Sequence, residues 1–251
     1  MLNILADLIS RKKFVFRSED LRALYGWAPI TAYQRIRTML RKGVIKKIWR
    51  GTFMINSKLL PNVPRVAFID SLLGNQYYFG LYTAMSFWKI SDLPVYTYQA
   101  ITMNRRFSGR KLNIAGLKVR LIYINPQRFF GYIRAPYSGT LVNMSDLEKT
   151  IIDATYFIGR YILVQDLAKA MLLAKNRINM QKIVEYLKKL DSPFTTQRLG
   201  FLLEEIVGTR LHTKKYQLKI SNRYIFLDPK GPKQTIEKNS RWRILLNRKL
   251  K

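Results

Sequence analysis

The first 60 residues alternate helix-forming and strand-forming segments in an order that few small folds share. Residues 2–10 place apolar side chains on one face of a helix, and residues 14–16 are a short β-prone run. Ser18 is the predicted N-cap of a second helix that ends near Tyr25. A third helix is predicted over residues 30–42 up to Gly43, followed by a β-hairpin over residues 44–56 that turns at Gly51. This order predicts a winged helix-turn-helix.

The predicted third helix has two different faces. One arc is apolar and is expected to form the core; it comprises Ala32, Tyr33, Ile36, Met39 and Leu40. The opposite arc and its flanks are polar or basic, and no acid occurs between residues 30 and 42. In the major groove of DNA, Gln can pair with adenine and Arg with guanine, while Lys and Thr suit phosphates. Including the basic hairpin, the candidate DNA-binding residues are Thr31, Gln34, Arg35, Arg37, Thr38, Arg41, Lys42, Lys46, Lys47 and Arg50.

The charge of the chain predicts a polyanionic partner. There are 45 Lys and Arg against 15 Asp and Glu, a net charge of +30, yet 48% of the residues are hydrophobic, which excludes disorder for most of the chain. Residues 1–60 carry 13 bases and 3 acids, and residues 210–251 carry 13 and 2, so both ends are denser in charge than the middle. Nucleic acid is the first candidate partner and an anionic membrane surface the second.

Several classes of protein are excluded or disfavoured by composition. The chain has no Cys, which excludes disulfides, Cys-ligated zinc and thiol catalysis, and its one His argues against a Ser-His-Asp triad. No apolar run is long enough to span a membrane. The N-terminal apolar stretch contains Asp7 and precedes its basic cluster, unlike a secretory signal. We expect a soluble cytoplasmic protein without a membrane partner, cofactor or metal.

The remainder of the chain reads as a second, larger unit that begins after Pro61 and Pro64. An aromatic stripe over residues 75–88 is interpreted as one face of a core helix. Strands are predicted over residues 95–103, 111–114, 117–124, 132–136, 140–143, 216–220, 224–227 and 242–246. Helices are predicted over 145–158, which opens with a capping box at Ser145, and over 163–175, 180–190 and 195–207. The predicted class is α+β: a winged helix-turn-helix at 1–60 and a larger mixed α/β domain at 65–251.

Six segments together resemble a known family. They are Arg-Lys-Gly-Val-Ile at residues 41–45, Arg-Gly-Thr-Phe at 50–53, the aromatic run at 77–84, the strand pair around 114–119, the Phe-Phe-Gly turn at 129–131, and Met-Ser-Asp-Leu-Glu-Lys-Thr-Ile-Ile-Asp at 144–153. Their order resembles the AbiEi family of antitoxins and transcriptional regulators from abortive-infection (type IV) toxin–antitoxin systems. None of these segments is a catalytic signature. The C-terminal end is more basic than the resemblance leads us to expect.

The resemblance implies two roles. One is repression of the chain's own operon, through double-stranded DNA of its promoter at inverted repeats. The other is neutralisation of a nucleotidyltransferase-like toxin by the C-terminal domain, directly or functionally.

The alternative is a metal-dependent nuclease or another basic nucleic-acid-binding enzyme. Magnesium would require clustered carboxylates. Asp146 and Glu148 are better explained as residues that start a helix, Asp153 lies further along the same helix, and Glu204-Glu205 is the other acid pair of note. His212 stands beside Lys214 and Lys215, which favours a surface or phosphate contact over a general base. A structural or RNA-binding module is a further alternative. We therefore predict no catalytic residue and no enzymatic activity.

Overall fold

The N-terminal part combines three helices with a small antiparallel sheet. The structure is a computed structural model that describes residues 2–250. The elements are α1 (Leu2–Ser10), β1 (Val15–Arg17), α2 (Ser18–Tyr25), α3 (Pro29–Arg41), β2 (Ile45–Trp49) and β3 (Thr52–Ile55). The three strands lie in the order β1-β3-β2. Helix α3 follows α2 after a short turn, so this part is helix-turn-helix-like.

A six-stranded mixed sheet organises the rest of the chain. Its strands lie in the order β6-β7-β5-β4-β9-β8, with parallel pairs β5–β7 and β4–β9. A three-stranded sheet, β10-β12-β11, closes the C-terminal end. The elements are α4 (Arg65–Leu73), β4 (Tyr77–Phe79), α5 (Leu81–Phe87), β5 (Tyr98–Thr102), β6 (Lys111–Ile114), β7 (Leu117–Tyr123), β8 (Tyr132–Tyr137), β9 (Thr140–Ser145), α6 (Leu147–Tyr156), α7 (Val164–Ala174), α8 (Met180–Leu190), α9 (Pro193–Leu202), a π-helical turn (Leu203–Val207), α10 (Thr213–Tyr216), β10 (Ile225–Phe226), β11 (Glu237–Asn239) and β12 (Ile244–Leu246).

Both faces of the large sheet are covered by apolar side chains. Helices α5 to α9 pack on one face and form the largest core. On the other face, α4 packs together with residues from β1 and β3. The Phe14 and Phe68 rings lie 5.2 Å apart, and the Val15 backbone N–H donates to Ser71 Oγ at 3.0 Å. The N-terminal part therefore has its own small core and also shares a core with α4 and the sheet.

The predicted mixed α/β class is confirmed, with local corrections. Residues 75–88 are not one helix but β4 and α5, which are joined at the extended Gly80 (φ −136°). The strand predicted over residues 216–220 is absent, and Tyr216 instead ends α10. Helix α4 and strand β11 were not expected from the sequence.

Two predicted helix caps are shifted by one residue. Ser18 is the first residue of α2, and the N-cap is Arg17, whose backbone N–H donates to Asp20 at 2.7 Å. Likewise Asp146, not Ser145, caps α6 by accepting from the Lys149 backbone N–H at 2.8 Å.

No helix within residues 2–250 is long and apolar enough to cross a lipid bilayer.

Candidate nucleic-acid interface

Helix α3 is defined by clear start and stop signals. Pro29 occupies its first turn, where the missing N–H costs nothing. Gly43 follows its end with φ +66°, a left-handed conformation that suits glycine. Ala32, Ile36 and Met39 are buried and attach the helix to the N-terminal core. The opposite face is therefore held outward by packing on the buried one.

The structure exposes most of the predicted DNA-binding residues. On α3 and at its end, Gln34, Arg35, Arg37, Arg41 and Lys42 are exposed. Thr31 and Thr38 are partly buried, and the Thr38 hydroxyl donates to the Gln34 carbonyl at 3.0 Å. That hydroxyl is thus already engaged by its own helix.

The prediction that Tyr33 belongs to the core is wrong. Its side chain is 62% exposed, and Ile30 one turn earlier is 65% exposed. Tyr33 lies at the edge of the apolar arc, where the hairpin does not reach over its ring. Two large apolar side chains therefore stand on the same exposed surface as the cations of α3.

The hairpin β2–β3 presents the remaining predicted residues. Lys46 and Lys47 are exposed on β2, and Arg50 is exposed at the turn, where Gly51 has φ +69°. Trp49 packs edge-on against Phe107, with ring centroids 5.7 Å apart, and the Arg110 guanidinium lies 5.8 Å from the Trp49 ring. The hairpin is therefore anchored to the segment around β6 and does not project freely.

A groove of about 680 Å³ separates α3 from the hairpin. Four cationic side chains line it, together with Tyr33 and the apolar edge of α3; they are Arg22, Arg37, Lys47 and Arg50. Arg22, on α2, was not among the predicted site residues, because only the fold brings α2 to this groove. Within residues 2–250, none of these four cations forms an ion pair with a carboxylate. The groove is therefore an unneutralised positive surface suited to phosphates.

The carboxylates considered for a nuclease are engaged in structural contacts. Asp153 is fully buried, is paired with Lys149 Nζ and accepts from the Tyr78 hydroxyl at 2.8 Å. Burial raises the pKa of Asp153 and lowers that of Lys149. Asp146 accepts from the Tyr186 hydroxyl at 2.6 Å, and Glu148 accepts from the Asn179 backbone N–H at 2.9 Å.

The other acids considered do not form a metal site either. Glu204 accepts from Trp242 Nε1 at 2.9 Å and pairs with Arg241. In the part of the chain that the structure describes, no three His, Asp or Glu side chains are grouped so that they could hold a metal ion. His212 is exposed and lines a hollow with Arg210 and Lys214, which agrees with its interpretation as a surface residue.

Comparison with known proteins agrees with this geometry. Residues 3–56 match the family model described as transcriptional regulator, AbiEi antitoxin. This confirms the predicted resemblance over the N-terminal segment, where the fold is helix-turn-helix-like. No curated protein matches the chain.

The crystal structure of the RV2827C protein from Mycobacterium tuberculosis is similar over most of its length. It superposes with a TM-score of 0.55 at 14% identity and covers 97% of this chain and 89% of that one. At this identity the likeness shows a shared fold alone.

Proposed function

We propose that this protein is a DNA-binding transcriptional repressor and antitoxin. It binds double-stranded DNA of its own promoter through a winged helix-turn-helix at residues 1–60, and it counteracts a nucleotidyltransferase-like toxin through residues 65–251. The AbiEi match over residues 3–56 supports an antitoxin and regulator role. The observation that carries the DNA-binding part is the groove between α3 and the hairpin, with its four unpaired cations.

Helix α3 is the recognition helix in this proposal. Its exposed face carries Gln34, Arg37 and Arg41 and no acid. Inserted in the major groove, the arginines can pair bidentately with guanine and the glutamine with adenine. Arg35 and Lys42, on the flanks, are placed to reach phosphates.

The hairpin is the wing. Lys46, Lys47 and Arg50 are exposed on it, and Lys47 and Arg50 line the groove beside α3. Because Trp49 is packed against Phe107, the wing is attached to the segment before β6. A phosphate backbone lying in the groove would meet Lys47 and Arg50 on one side and Arg37 on the other.

Tyr33 and Ile30 extend the proposed interface beyond the charged residues. Both are exposed on α3 where no protein element covers them. Apolar side chains in the major groove contact the methyl group of thymine. We therefore add Tyr33 and Ile30 to the residues that select the DNA sequence.

The test measures binding of the full-length protein to two fluorescent duplexes: its own promoter and a shuffled duplex of equal length and composition. Arg41→Ala should weaken promoter binding by about 1–3 kcal/mol and leave shuffled DNA nearly unaffected. Lys47→Ala should weaken both duplexes alike and reduce the salt dependence by about one phosphate contact. Lys175→Ala, an exposed lysine at the end of α7, is the matched control.

Equal affinity of the unmodified protein for promoter and shuffled duplex at physiological salt would refute the repressor proposal. A loss of affinity for Lys175→Ala as large as for Lys47→Ala would show that overall charge, not the groove, binds DNA.

A further inference from the structure

A second cleft lies on the C-terminal domain and has no part in the proposed duplex interface. It has a volume of about 400 Å³ and opens over β5 and β7 of the large sheet, next to the segment that connects α5 to β5. Three tyrosines, Arg120 and Gln99 line it, together with other residues of that segment between positions 93 and 97. None of its lining residues belongs to α3 or the hairpin.

Three tyrosines form the walls of the cleft. Tyr96 is 80% exposed, the highest exposure among the large hydrophobic side chains the structure describes as exposed. Tyr161 is partly buried, and Tyr82 is fixed because its hydroxyl donates to Asp166 at 2.5 Å. An aromatic ring left this exposed contributes little to folding, but it offers a flat surface for stacking.

Two arginines converge on one of these rings. The Arg160 guanidinium lies 5.2 Å from the Tyr161 ring centroid, and that of Arg120 lies 5.8 Å from the same ring. Within residues 2–250 neither guanidinium is paired with a carboxylate. Arg120 lines the cleft and Arg160 does not, but both lie against Tyr161. Two like charges held on one ring without a counter-charge create a positive potential beside this wall of the cleft.

Strand pairing continues this positive surface across the sheet. Arg120 on β7 lies directly opposite Gln99 on β5 and Lys111 on β6. Directly opposed residues share one face of a sheet. Gln99 is held at the base of the cleft because its side-chain oxygen accepts from the Tyr82 backbone N–H at 2.9 Å. Lys111, on the edge strand β6, and Lys118, two residues before Arg120 on β7, are both exposed and add two cations to this face.

We propose that this cleft binds single-stranded nucleic acid. One unpaired base stacks on Tyr96 between the tyrosine walls, and Arg120 and Arg160 hold the adjoining phosphates. Lys111 and Lys118 continue the path of the backbone. Stacking platforms joined to a basic track are the physical basis of single-strand binding without strong sequence preference. A duplex cannot use the cleft in this way, because its bases are already stacked and paired.

An edge-protection role alone does not account for the cleft. Lysines on an edge strand prevent pairing with another sheet, which would explain Lys111 on β6 but not Lys118, because β7 is paired on both sides. It would not explain the exposed Tyr96 or the two arginines on Tyr161. An acidic segment of a protein partner would satisfy the arginines but has no use for a stacking surface.

The test uses the full-length protein and fluorescent 12-mers at physiological salt: oligoadenylate as RNA and as DNA, and a DNA 12-mer of abasic sites with the same charge. Oligoadenylate should bind at least about tenfold more tightly than the abasic strand, because stacking contributes about 1–3 kcal/mol per base. Tyr96→Ala should remove most of that difference, while Tyr96→Phe should keep it. Tyr224→Ala, an exposed tyrosine outside the cleft, is the matched control.

Four outcomes would overturn the proposal. Equal binding of oligoadenylate and the abasic strand would mean that the net charge of +30 alone attracts the oligonucleotide. An acidic protein partner would be indicated if polyglutamate displaces the oligoadenylate. In that case Arg120→Ala should weaken the binding of polyglutamate, and Tyr96→Ala should not. A parallel loss of promoter-duplex binding in Tyr96→Ala would assign the cleft to the duplex interface. Promoter binding that stays intact while single-strand binding fails would refute this inference and leave the proposed repressor function standing.

Discussion

The Tyr33 side chain is exposed on α3, although helical periodicity predicts that it is buried. Its sequence position lies at the edge of the apolar arc, so helical periodicity assigned it to the core, whereas 62% of its side chain is exposed. Periodicity gives the direction of a side chain but not how far the neighbouring elements reach. Only the position of the hairpin, which leaves a groove beside α3, decides that this ring faces solvent.

We expect Tyr33→Ala to weaken promoter binding while leaving stability nearly unchanged. The ring contributes little buried area, and surface substitutions usually change the free energy of unfolding by less than about 0.5 kcal/mol. Loss of an apolar contact to a thymine methyl should reduce affinity most for promoters with A·T pairs beneath α3. Binding to a promoter and to a thymine-to-uracil version of it, combined with urea unfolding, checks both expectations. An equal effect on both DNAs would show that Tyr33 does not contact the methyl group.

The N-cap of α6 also differs from the prediction because of a contact with a residue distant in sequence. Ser145 and Asp146 are both good N-cap residues, and the sequence pattern favoured the first because Glu148 completes a capping box with it. In the structure Ser145 ends β9, and Glu148 instead accepts from Asn179, which precedes α8. The competing partner lies 31 residues away in sequence, so no local pattern could reveal it.

At the scale of elements, α6 is attached to β4 by a fully buried ion pair. Lys149 and Asp153 lie one turn apart on α6, and both contact the Tyr78 hydroxyl. We expect Lys149→Ala to lower the free energy of unfolding by about 3–5 kcal/mol, because it leaves the Asp153 carboxylate buried without a counter-charge. Urea unfolding provides the measurement.

Two further variants make that result specific. Lys189→Ala breaks an exposed pair of the same spacing with Glu185 on α8 and should cost less than about 1 kcal/mol. Lys149→Met combined with Asp153→Leu removes both charges and should be more stable than Lys149→Ala alone. If the double variant is as unstable as the single one, packing and not charge explains the loss.

The contact between α5 and α7 predicts a weakness at alkaline pH. Burial, and next the hydrogen bond to Asp166, raises the pKa of Tyr82 to about 12 from its ordinary value of 10.0. A raised pKa in the folded state stabilises the fold fully below pH 10. That contribution is lost as the pH rises toward 12, because the unfolded chain releases the proton first. The free energy of unfolding should therefore fall over this interval, and less steeply in Tyr82→Phe. Identical pH profiles would contradict the assignment.

Elements with regular patterns could be predicted, whereas those that depend on neighbours could not. Strands β6 and β7 alternate around the turn at Ala115–Gly116, and α8 has a clear apolar face, so the sequence placed all three. Residues 75–88 were misread as one helix because Tyr78, Leu81, Tyr82 and Met85 are spaced like a helical stripe. Strand β4 is buried on both faces of the sheet, and such a strand has no alternation that would distinguish it from a helix.

Over the whole molecule, the N-terminal unit and the sheet are joined by apolar contacts. Pro61 and Pro64 predict a boundary, and the division at residues 60 and 65 remains our proposal. Even so, Phe14 and Val15 are buried against α4. Isolating residues 1–60 would expose Phe14 and Val15. Isolating residues 65–251 would expose the α4 side chains against which they pack. The two proposed roles are therefore better separated by surface substitutions than by truncation.

Repression and toxin neutralisation should be separable in the full-length chain. Gln34→Ala combined with Arg41→Ala changes two exposed side chains on α3. We expect this variant to lose promoter repression in a reporter assay. When it is expressed from an unrelated promoter with the toxin, growth should be restored as well as by the unmodified protein, and Lys175→Ala should be normal in both assays. If the double variant reaches the same cellular level and fails to restore growth, the antitoxin activity depends on the DNA-binding face. A separate neutralising role for residues 65–251 would then be wrong.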